Sequence, residues 1–200
     1  MTSLASPLVV KVGGSLFDRV APLLDIFREV GRPVLIVPGG GKFADLVRRL
    51  AVSDTAGHWM AIAGMEQFGW YISSHGVPAA TEIALPAGVT VLLPYCALRE
   101  ADPLPHSWEV TSDTIAAWVA KELSIDLLLL KSVDGIHRHR RLVSRVEDPA
   151  LTCEEVDPLF IPFVFEHGIR ARVVNGRHAD RVRGALREEA VTGTLVDPRF

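Results

Sequence analysis

Residues 7–15 have the sequence Pro-Leu-Val-Val-Lys-Val-Gly-Gly-Ser, a continuous apolar run that ends in a glycine turn. Comparable apolar runs follow at 33–37, 89–93, 126–130, 172–174 and 194–196. Segments in which apolar residues recur at helical spacing are found at 20–30, 42–50, 54–74, 111–123 and 178–187. Apolar runs that alternate with helices are typical of a mainly parallel sheet with helices on both faces. The sequence therefore predicts an α/β fold, with loops at 101–106 and 137–145.

The length of 200 residues favours one domain, spanning residues 1–200, over two very small ones. Hydrophobic residues make up 48% and charged residues 22% of the chain, which excludes a disordered protein. The net charge of −3 argues against nucleic acid as a partner. No apolar run approaches the ~18 residues of a membrane span, and no secretory signal is visible. We therefore expect a cytoplasmic protein that does not contact a membrane.

The cysteine and histidine residues give no sign of a metal centre or a nucleophile. Cys96 and Cys153 are too few for a disulfide framework or a four-thiolate zinc site, so we expect free, buried thiols. His58 stands alone on a predicted helix, and His137 and His139 lie in an arginine-rich loop without paired cysteines or carboxylates. We therefore predict no metal ion held by protein side chains.

Lysine is used sparingly, with four lysines against seventeen arginines. Two of the four, Lys11 and Lys131, lie within or at the end of strongly apolar runs. Lysine is rarely placed there without a partner, because burying an unpaired ammonium group is costly. These two lysines are the first candidates for chemistry.

Two glycine-rich turns follow the first two predicted strands. Gly13-Gly14-Ser15 comes directly after the strand with Lys11, and Gly39-Gly40-Gly41 comes after the strand at 33–37. Such turns leave backbone N–H groups free to face an anion, and the next helix adds its positive end. The alternatives are a lysine that reaches water beside a structural turn, and glycines that only allow close packing. Because the strands are parallel, both turns and the segment after Lys131 should open onto the same edge of the sheet.

Asp113 lies in the first turn of the helix predicted at 111–123. A carboxylate there complements the helix dipole, which is the more common role, but it could also orient the two lysines around a phosphoryl group.

A weak match to the dinucleotide fingerprint, through Gly39, Gly41 and Ala44, leaves an oxidoreductase as a poorly supported alternative.

The order of these motifs resembles the amino acid kinase superfamily. The segments that carry the resemblance are Val-Lys-Val-Gly-Gly-Ser at 10–15, Pro-Gly-Gly-Gly at 38–41, Thr-Ser-Asp-Thr-Ile-Ala-Ala at 111–117, Leu-Leu-Lys-Ser-Val-Asp-Gly-Ile at 129–136 and Gly-Thr-Leu-Val at 193–196. The resemblance covers essentially the whole chain. It implies a three-layer αβα sandwich with a mainly parallel central sheet, the cofactors ATP and Mg²⁺, and transfer of the γ-phosphoryl group to a carboxylate or a phosphate.

The resemblance also implies roles for individual residues. Lys11 would contact the transferring phosphoryl group, and Asp113 would organise the catalytic lysines. ATP would bind at Gly13, Gly14 and Ser15 and at the nucleotide-side residues Ser132, Asp134, Gly135 and Ile136. The acceptor would bind at Gly39, Gly40 and Gly41.

The chain departs from the superfamily pattern in one respect. Many members carry a second catalytic lysine in a later loop, where this chain has Val-Asn-Gly-Arg-His at 174–178. Either Lys131 or Arg177 must take its place, and we favour Lys131 as the third catalytic residue. A protein that binds ATP without catalysis is the alternative that the missing lysine suggests.

Within the superfamily, three segments resemble a compact branch that acts in methanofuran synthesis: Val-Pro-Gly-Gly-Gly-Lys-Phe-Ala-Asp at 37–45, His-Trp-Met-Ala-Ile-Ala-Gly-Met at 58–65 and Leu-Leu-Lys-Ser-Val-Asp-Gly-Ile at 129–136. Its acceptor is itself a phosphate, (5-(aminomethyl)furan-3-yl)methyl phosphate, which becomes the diphosphate. The predicted partner is therefore a small-molecule phosphate monoester, with a carboxylate or carbamate acceptor as the alternative, and a homodimer is the default assembly. Five residues are candidates for the acceptor pocket or for plain core packing: His58, Trp59, Met60, Met65 and Trp70.

Overall fold

The computed structural model describes residues 6–199. Its main sheet is built from β1 (Leu8–Val12), β2 (Val34–Pro38), β3 (Ala79–Ala80), β4 (Val89–Leu92), β5 (Leu127–Lys131), β8 (Arg145–Val146), β9 (Ala171–Asn175) and β10 (Thr194–Val196). The strand order across this sheet is β3-β4-β2-β1-β5-β9-β10-β8. Since β1 lies between β2 and β5, the two predicted lysine-bearing strands are neighbours. The pairing is parallel except where β10 meets β9.

The helices are α1 (Val20–Val30), α2 (Gly41–Arg48), α3 (Asp54–Ser73), α4 (Tyr95–Ala101), α5 (Ser112–Leu123), α6 (Phe160–Glu166) and α7 (Ala179–Leu186), and a 3-10 helix spans Gly14–Arg19. Among residues 6–199, none of these helices has the length and apolar character needed to cross a bilayer.

Alternate residues of each central strand point to opposite faces and build two cores. Val9, Leu35 and Leu129 belong to a core shared with α5 and α6. Val10, Ile36 and Leu128 belong to a core shared with α1 and α7. The sheet is therefore covered by helices on both sides, and the predicted three-layer αβα sandwich is confirmed.

Within the segment 137–145, which the sequence predicted to be a loop, residues 137–142 form a small antiparallel hairpin and Arg145 begins β8. Its strands are β6 (His137–Arg138) and β7 (Arg141–Leu142). The turn residues His139 and Arg140 both have positive φ, of 50° and 65°, as a two-residue hairpin turn requires. The prediction failed because turns of this kind usually contain glycine or asparagine, whereas this one contains neither.

The expected burial of the two cysteines is also wrong in part. Cys96 is exposed on α4 and Cys153 is half-buried. Helix α4 was not predicted, so nothing in the sequence indicated that Cys96 would lie on a helix surface.

The carboxyl ends of β1, β2 and β5 meet at one edge of the sheet, as predicted for parallel strands. Lys11 lies beside Val37 of β2 and Leu129 of β5. Lys131 is the last residue of β5. This edge therefore holds Lys11, Lys131 and both glycine turns.

Candidate active site

The two glycine-rich turns touch each other at the carboxyl edge of the sheet. A Cβ atom added to Gly14 would lie 2.1 Å from Cα of Gly41, so a side chain at residue 14 would collide with backbone. Gly41 has a φ of +50°, a conformation that favours glycine. Gly39 donates its N–H to the Val12 carbonyl at 2.9 Å and fixes the second turn against the end of β1. The glycines bring the backbones of β1, β2 and α2 into direct contact.

Beside the first turn, one carboxylate is shared between two ammonium groups. Asp113 Oδ1 lies 2.6 Å from Lys11 Nζ, and Asp113 Oδ2 lies 2.5 Å from Lys131 Nζ. Lys11 and Asp113 are buried, while the Lys131 side chain retains partial exposure. Two ammonium groups thus share one carboxylate in direct contact, an arrangement in which both can also contact a bound anion.

In this cluster, burial and the neighbouring charges shift the pKa values in opposite directions. Burial lowers the pKa of Lys11 below that of an ordinary lysine, although the Asp113 carboxylate acts in the other direction. For Asp113, burial acts to raise the pKa, but Lys11 and Lys131 together outweigh it and the pKa is lowered. Asp113 is therefore a carboxylate at neutral pH.

The touching glycines separate two cavities. One, of about 1200 Å³ and open to solvent, is lined by the first glycine turn together with Lys11, Lys42 and Lys131. The other, of about 720 Å³, lies between α2, α3 and the segment that precedes α5, and its walls include Ile62, Met65 and Trp108. Gly14, Gly41 and Asp45 line both cavities. We call them the lysine cavity and the aromatic cavity.

Comparisons with known proteins agree with this architecture. A family model described as the amino acid kinase family matches residues 6–157. The chain belongs to the amino acid kinase family. Membership of this kinase family confirms the prediction of a phosphotransferase.

A relative of this amino acid kinase is [5-(aminomethyl)furan-3-yl]methyl phosphate kinase of Methanocaldococcus jannaschii. The two proteins are 30% identical over an alignment that covers 89% of this chain and 92% of the relative. Two solved structures share its fold at low sequence identity. The uridylate kinase of Archaeoglobus fulgidus has a TM-score of 0.71 at 18% identity, and the UMP kinase of Ureaplasma parvum has 0.73 at 16%. Each comparison covers 96% of this chain and 99% of the other.

The predicted nucleotide-side residues of this amino acid kinase form a tightly bonded loop after β5. Asp134 Oδ1 accepts hydrogen bonds from Asn175 Nδ2 at 2.9 Å and Arg181 Nη1 at 2.6 Å. A Cβ at Gly135 would lie 2.5 Å from Thr194 Oγ1, and the backbone N–H of Ile136 donates to that oxygen at 2.8 Å. Ser132 is exposed in the same loop. These contacts hold the loop against β9, α7 and β10 and leave the Ser132 hydroxyl accessible.

Arg177, the alternative to Lys131, is directed elsewhere. Its guanidinium donates to the Ser15 carbonyl at 2.9 Å and to Asp18 Oδ2 at 3.1 Å. The hydrogen bond from Arg177 lowers the pKa of Asp18, although burial acts in the other direction. Arg177 thus fastens the first glycine turn from outside, whereas Lys131 contacts Asp113.

The candidates for the acceptor pocket divide into two groups. His58 and Met65 line the aromatic cavity, while Met60 and Trp70 are exposed large apolar side chains. Trp59 packs instead against His58, Tyr95 and His106. Helical spacing alone could not separate them, because the cavity meets only one side of α3.

His58 does not stand alone, contrary to the interpretation from the sequence. Its ring stacks on His106 with centroids 4.3 Å apart, and His106 Nε2 bonds Asp102 Oδ1 at 2.9 Å. The other ring nitrogen of His106 lies 3.1 Å from Thr55 Oγ1. Since both nitrogens of His106 already have protein partners, this cluster braces the segment before Trp108 against α3.

Asp157, a buried carboxylate directly beneath the site, was not among the residues predicted from the sequence. It accepts hydrogen bonds from the backbone N–H and the hydroxyl of both Thr111 and Thr114. Burial raises the pKa of Asp157, the charge of Asp113 adds to this effect, and the bonds from the threonines oppose it. Asp157 thereby fixes the first turn of α5, which carries Asp113. No local motif marks this residue.

Proposed function

We propose that this kinase transfers the γ-phosphoryl group of ATP to a phosphate monoester. The acceptor we propose is (5-(aminomethyl)furan-3-yl)methyl phosphate, and the product is its diphosphate. The observation that carries the proposal is the pair of lysines, one buried and one partly exposed, that share Asp113 beside two touching glycine turns. The similarity to a kinase of that acceptor, over most of both chains, supports the choice of acceptor.

Lys11 and Lys131 bind the phosphoryl group in transit, and Asp113 holds the two ammonium groups in place. The superfamily's transfer needs positive charge and in-line positioning rather than covalent help from the protein. Gly13, Gly14 and Ser15 bind the phosphates of ATP, and the loop with Ser132, Asp134, Gly135 and Ile136 lies on the nucleotide side. Gly39, Gly40 and Gly41 bind the phosphate of the acceptor from the adjoining turn.

The reaction is a single displacement at phosphorus. An oxygen of the acceptor phosphate forms a bond to the γ-phosphorus, and the bond from that phosphorus to the β–γ bridging oxygen breaks. The bridging oxygen keeps the electron pair and leaves as part of ADP. The acceptor phosphate is already ionised at neutral pH, so no protein base is required to activate it.

Mg²⁺ would neutralise charge on the phosphates of ATP. Its preference for hard oxygen donors fits the lysine cavity, where the Asp45 carboxylate is exposed beside the lysines. We assign no further protein ligand to it, because nucleotide phosphates and water supply the remaining oxygens.

The aromatic cavity suits the organic part of this acceptor. Ile62, Met65 and Trp108 line it and offer apolar surface to a furan ring. Asp54 lines this cavity and not the lysine cavity, so its carboxylate can attract the ammonium of the aminomethyl group.

The test is the release of ADP from Mg-ATP with a panel of acceptors. The panel contains the furan phosphate, UMP, isopentenyl phosphate, acetylglutamate, aspartate and carbamate. We expect turnover with the furan phosphate alone, and a ³¹P spectrum of the product with the two coupled signals of a diphosphate. Turnover with a carboxylate or carbamate, giving an acyl phosphate, would overturn the choice of acceptor. ATP binding without turnover across the panel would favour a non-catalytic module.

We also propose that residues 1–200 act as one domain, in the cytoplasm, and as a homodimer. The continuous sheet from β3 to β8 supports a single domain, because strands from early and late in the chain alternate within it. Sedimentation of the purified protein tests the assembly.

A further inference from the structure

The lysines of this chain are concentrated at one place. Three of the four, Lys11, Lys42 and Lys131, line the lysine cavity. The fourth, Lys121, is an exposed residue of α5 that pairs with Glu122. Seventeen arginines supply most of the remaining positive charge. The chain therefore uses lysine mainly at this cavity, whereas arginine supplies most of its other positive charges.

Lys42 occupies a position that is electrostatically unfavourable without an anion. It is the second residue of α2, where the helix dipole presents its positive end. Within residues 6–199 it forms no ion pair, and its contact is the ring of Phe17, 5.7 Å from its Nζ. Two further ammonium groups line the same cavity, and both already share Asp113. Asp18 and Asp45 also line this cavity, but Asp18 pairs with Arg177 and neither carboxylate pairs with Lys42. Among the described residues, Lys42 is therefore the lysine of this cavity without a paired counterion.

Lys42 lies on a different element of the fold from the other two lysines of this cavity. Lys11 and Lys131 come from strands β1 and β5, whereas Lys42 follows Gly41, a residue that lines both cavities. Lys42 thus stands where a phosphate would pass from the lysine cavity towards the aromatic cavity. A flexible ammonium group suits a contact that must follow a moving phosphoryl group.

We propose that Lys42 is a third catalytic lysine, which binds the phosphate oxygens between donor and acceptor and stabilises the charge that develops on them during transfer. This proposal rests on the proposed kinase function. It also explains how a chain with Arg177 in place of the superfamily's later lysine can still surround the γ-phosphate with positive charge.

The test compares Lys42→Met, which keeps the apolar stem against Phe17, with Lys42→Arg, which keeps the charge. Lys121→Met is the matched control, since it removes the other exposed lysine. We expect kcat to fall about 10- to 100-fold in Lys42→Met, as for the loss of one charge-stabilising donor, and to be largely restored in Lys42→Arg. Lys121→Met should retain the kcat of the unmodified protein. A kcat for Lys42→Met within about twofold of the unmodified protein would overturn the proposal.

A second measurement separates this proposal from the assignment of the acceptor. Pyrophosphate binding is followed by calorimetry at several salt concentrations, without ATP or any acceptor. We expect Lys42→Met to bind pyrophosphate about 5- to 10-fold more weakly and with a shallower salt dependence, while Lys121→Met is unchanged. Equal affinity of Lys42→Met and the unmodified protein would overturn the phosphate contact, even if every proposed acceptor had failed. Conversely, weaker pyrophosphate binding without turnover would support the contact and reject the proposed acceptor.

Discussion

Two buried cations, at opposite ends of the central strands, have very different surroundings. Lys11 lies near the carboxyl end of β1 and has one ionic partner, Asp113, which it shares with Lys131. Arg32 precedes β2 at the amino end and is 3% exposed. Its guanidinium donates to the carbonyls of Ser6 and Leu186, to the Ser6 hydroxyl and to Glu188.

The difference shows which end of the sheet is built for a ligand. The donors of Arg32 are occupied by protein acceptors, so it joins the start of β2 to the end of α7 and contributes to stability. At the other end, Lys11 and Lys131 share a single paired carboxylate, and Lys42 beside them forms no ion pair among the described residues. A buried charge alone therefore does not indicate function, whereas an incomplete set of partners does.

The largest expected effect is the loss of turnover in Lys11→Ala. We expect kcat to fall about 10³-fold or more, because the charge on the transferring phosphoryl group loses its buried partner. Stability should change little, since Asp113 keeps Lys131 as a partner. Steady-state kinetics and thermal melting check this, with Lys121→Ala as the control. A variant that lost only ATP affinity would indicate a binding module instead of an enzyme.

For Arg32→Met we expect the opposite result, a loss of stability without a loss of turnover. Removing the guanidinium leaves buried carbonyls without donors and should lower the free energy of unfolding by about 2–3 kcal/mol. Because Arg32 lies at the far edge, kcat at a temperature where the protein is folded should be unchanged. Urea unfolding measures the first effect. Arg183→Met, which removes a partly exposed ion pair with Glu29, is the control and should cost less than about 1 kcal/mol. A large loss of kcat in Arg32→Met would contradict this division between the two ends.

Asp157→Asn tests whether the first turn of α5 positions Asp113. An amide in place of the carboxylate faces its NH₂ group towards N–H or O–H donors, so the four hydrogen bonds cannot all persist. We expect kcat to fall about 10-fold with smaller changes in KM. Asp197→Asn is a matched control, because Asp197 is equally buried, at 7% exposure, and pairs with Arg170 and Arg199 instead. Similar kcat values for both variants would reject the positioning role.

The smallest effect concerns the pH profile. Because burial holds the pKa of Lys11 below its ordinary value of 10.5, the ammonium should lose its proton, and kcat should decline, before an ordinary lysine titrates. The lowered pKa of Asp113 acts at the acid end: its stabilising contribution is present above the unfolded pKa of about 3.9 and is lost as pH falls through the lower folded value. Rate measurements across pH check the alkaline decline of kcat, and melting measurements check the loss of stability in acid. A rate that stayed constant through pH 10.5 would exclude Lys11 as the essential cation.

The elements that could be predicted from sequence are those with strong local patterns. Helix α1 runs from Val20 to Val30, and β5 ends at Lys131, as the apolar patterns indicated. The hairpin at 137–142 and the short helices α4 and α6 were missed. Short elements contain too few residues for a clear apolar period, and contacts with the rest of the fold decide whether they form.

By itself the sequence determined the parallel α/β sheet, the two glycine turns and the position of two lysines within or at the end of apolar runs. These features follow from local burial patterns and local backbone requirements. Only the tertiary structure decided that Asp113 pairs with both Lys11 and Lys131, that Arg177 donates to the Ser15 carbonyl, and that Asp157 bonds the first turn of α5. The partners in these contacts lie 18 to 162 residues apart in the chain. Their meeting depends on the path of the chain between the strands, which no local pattern encodes.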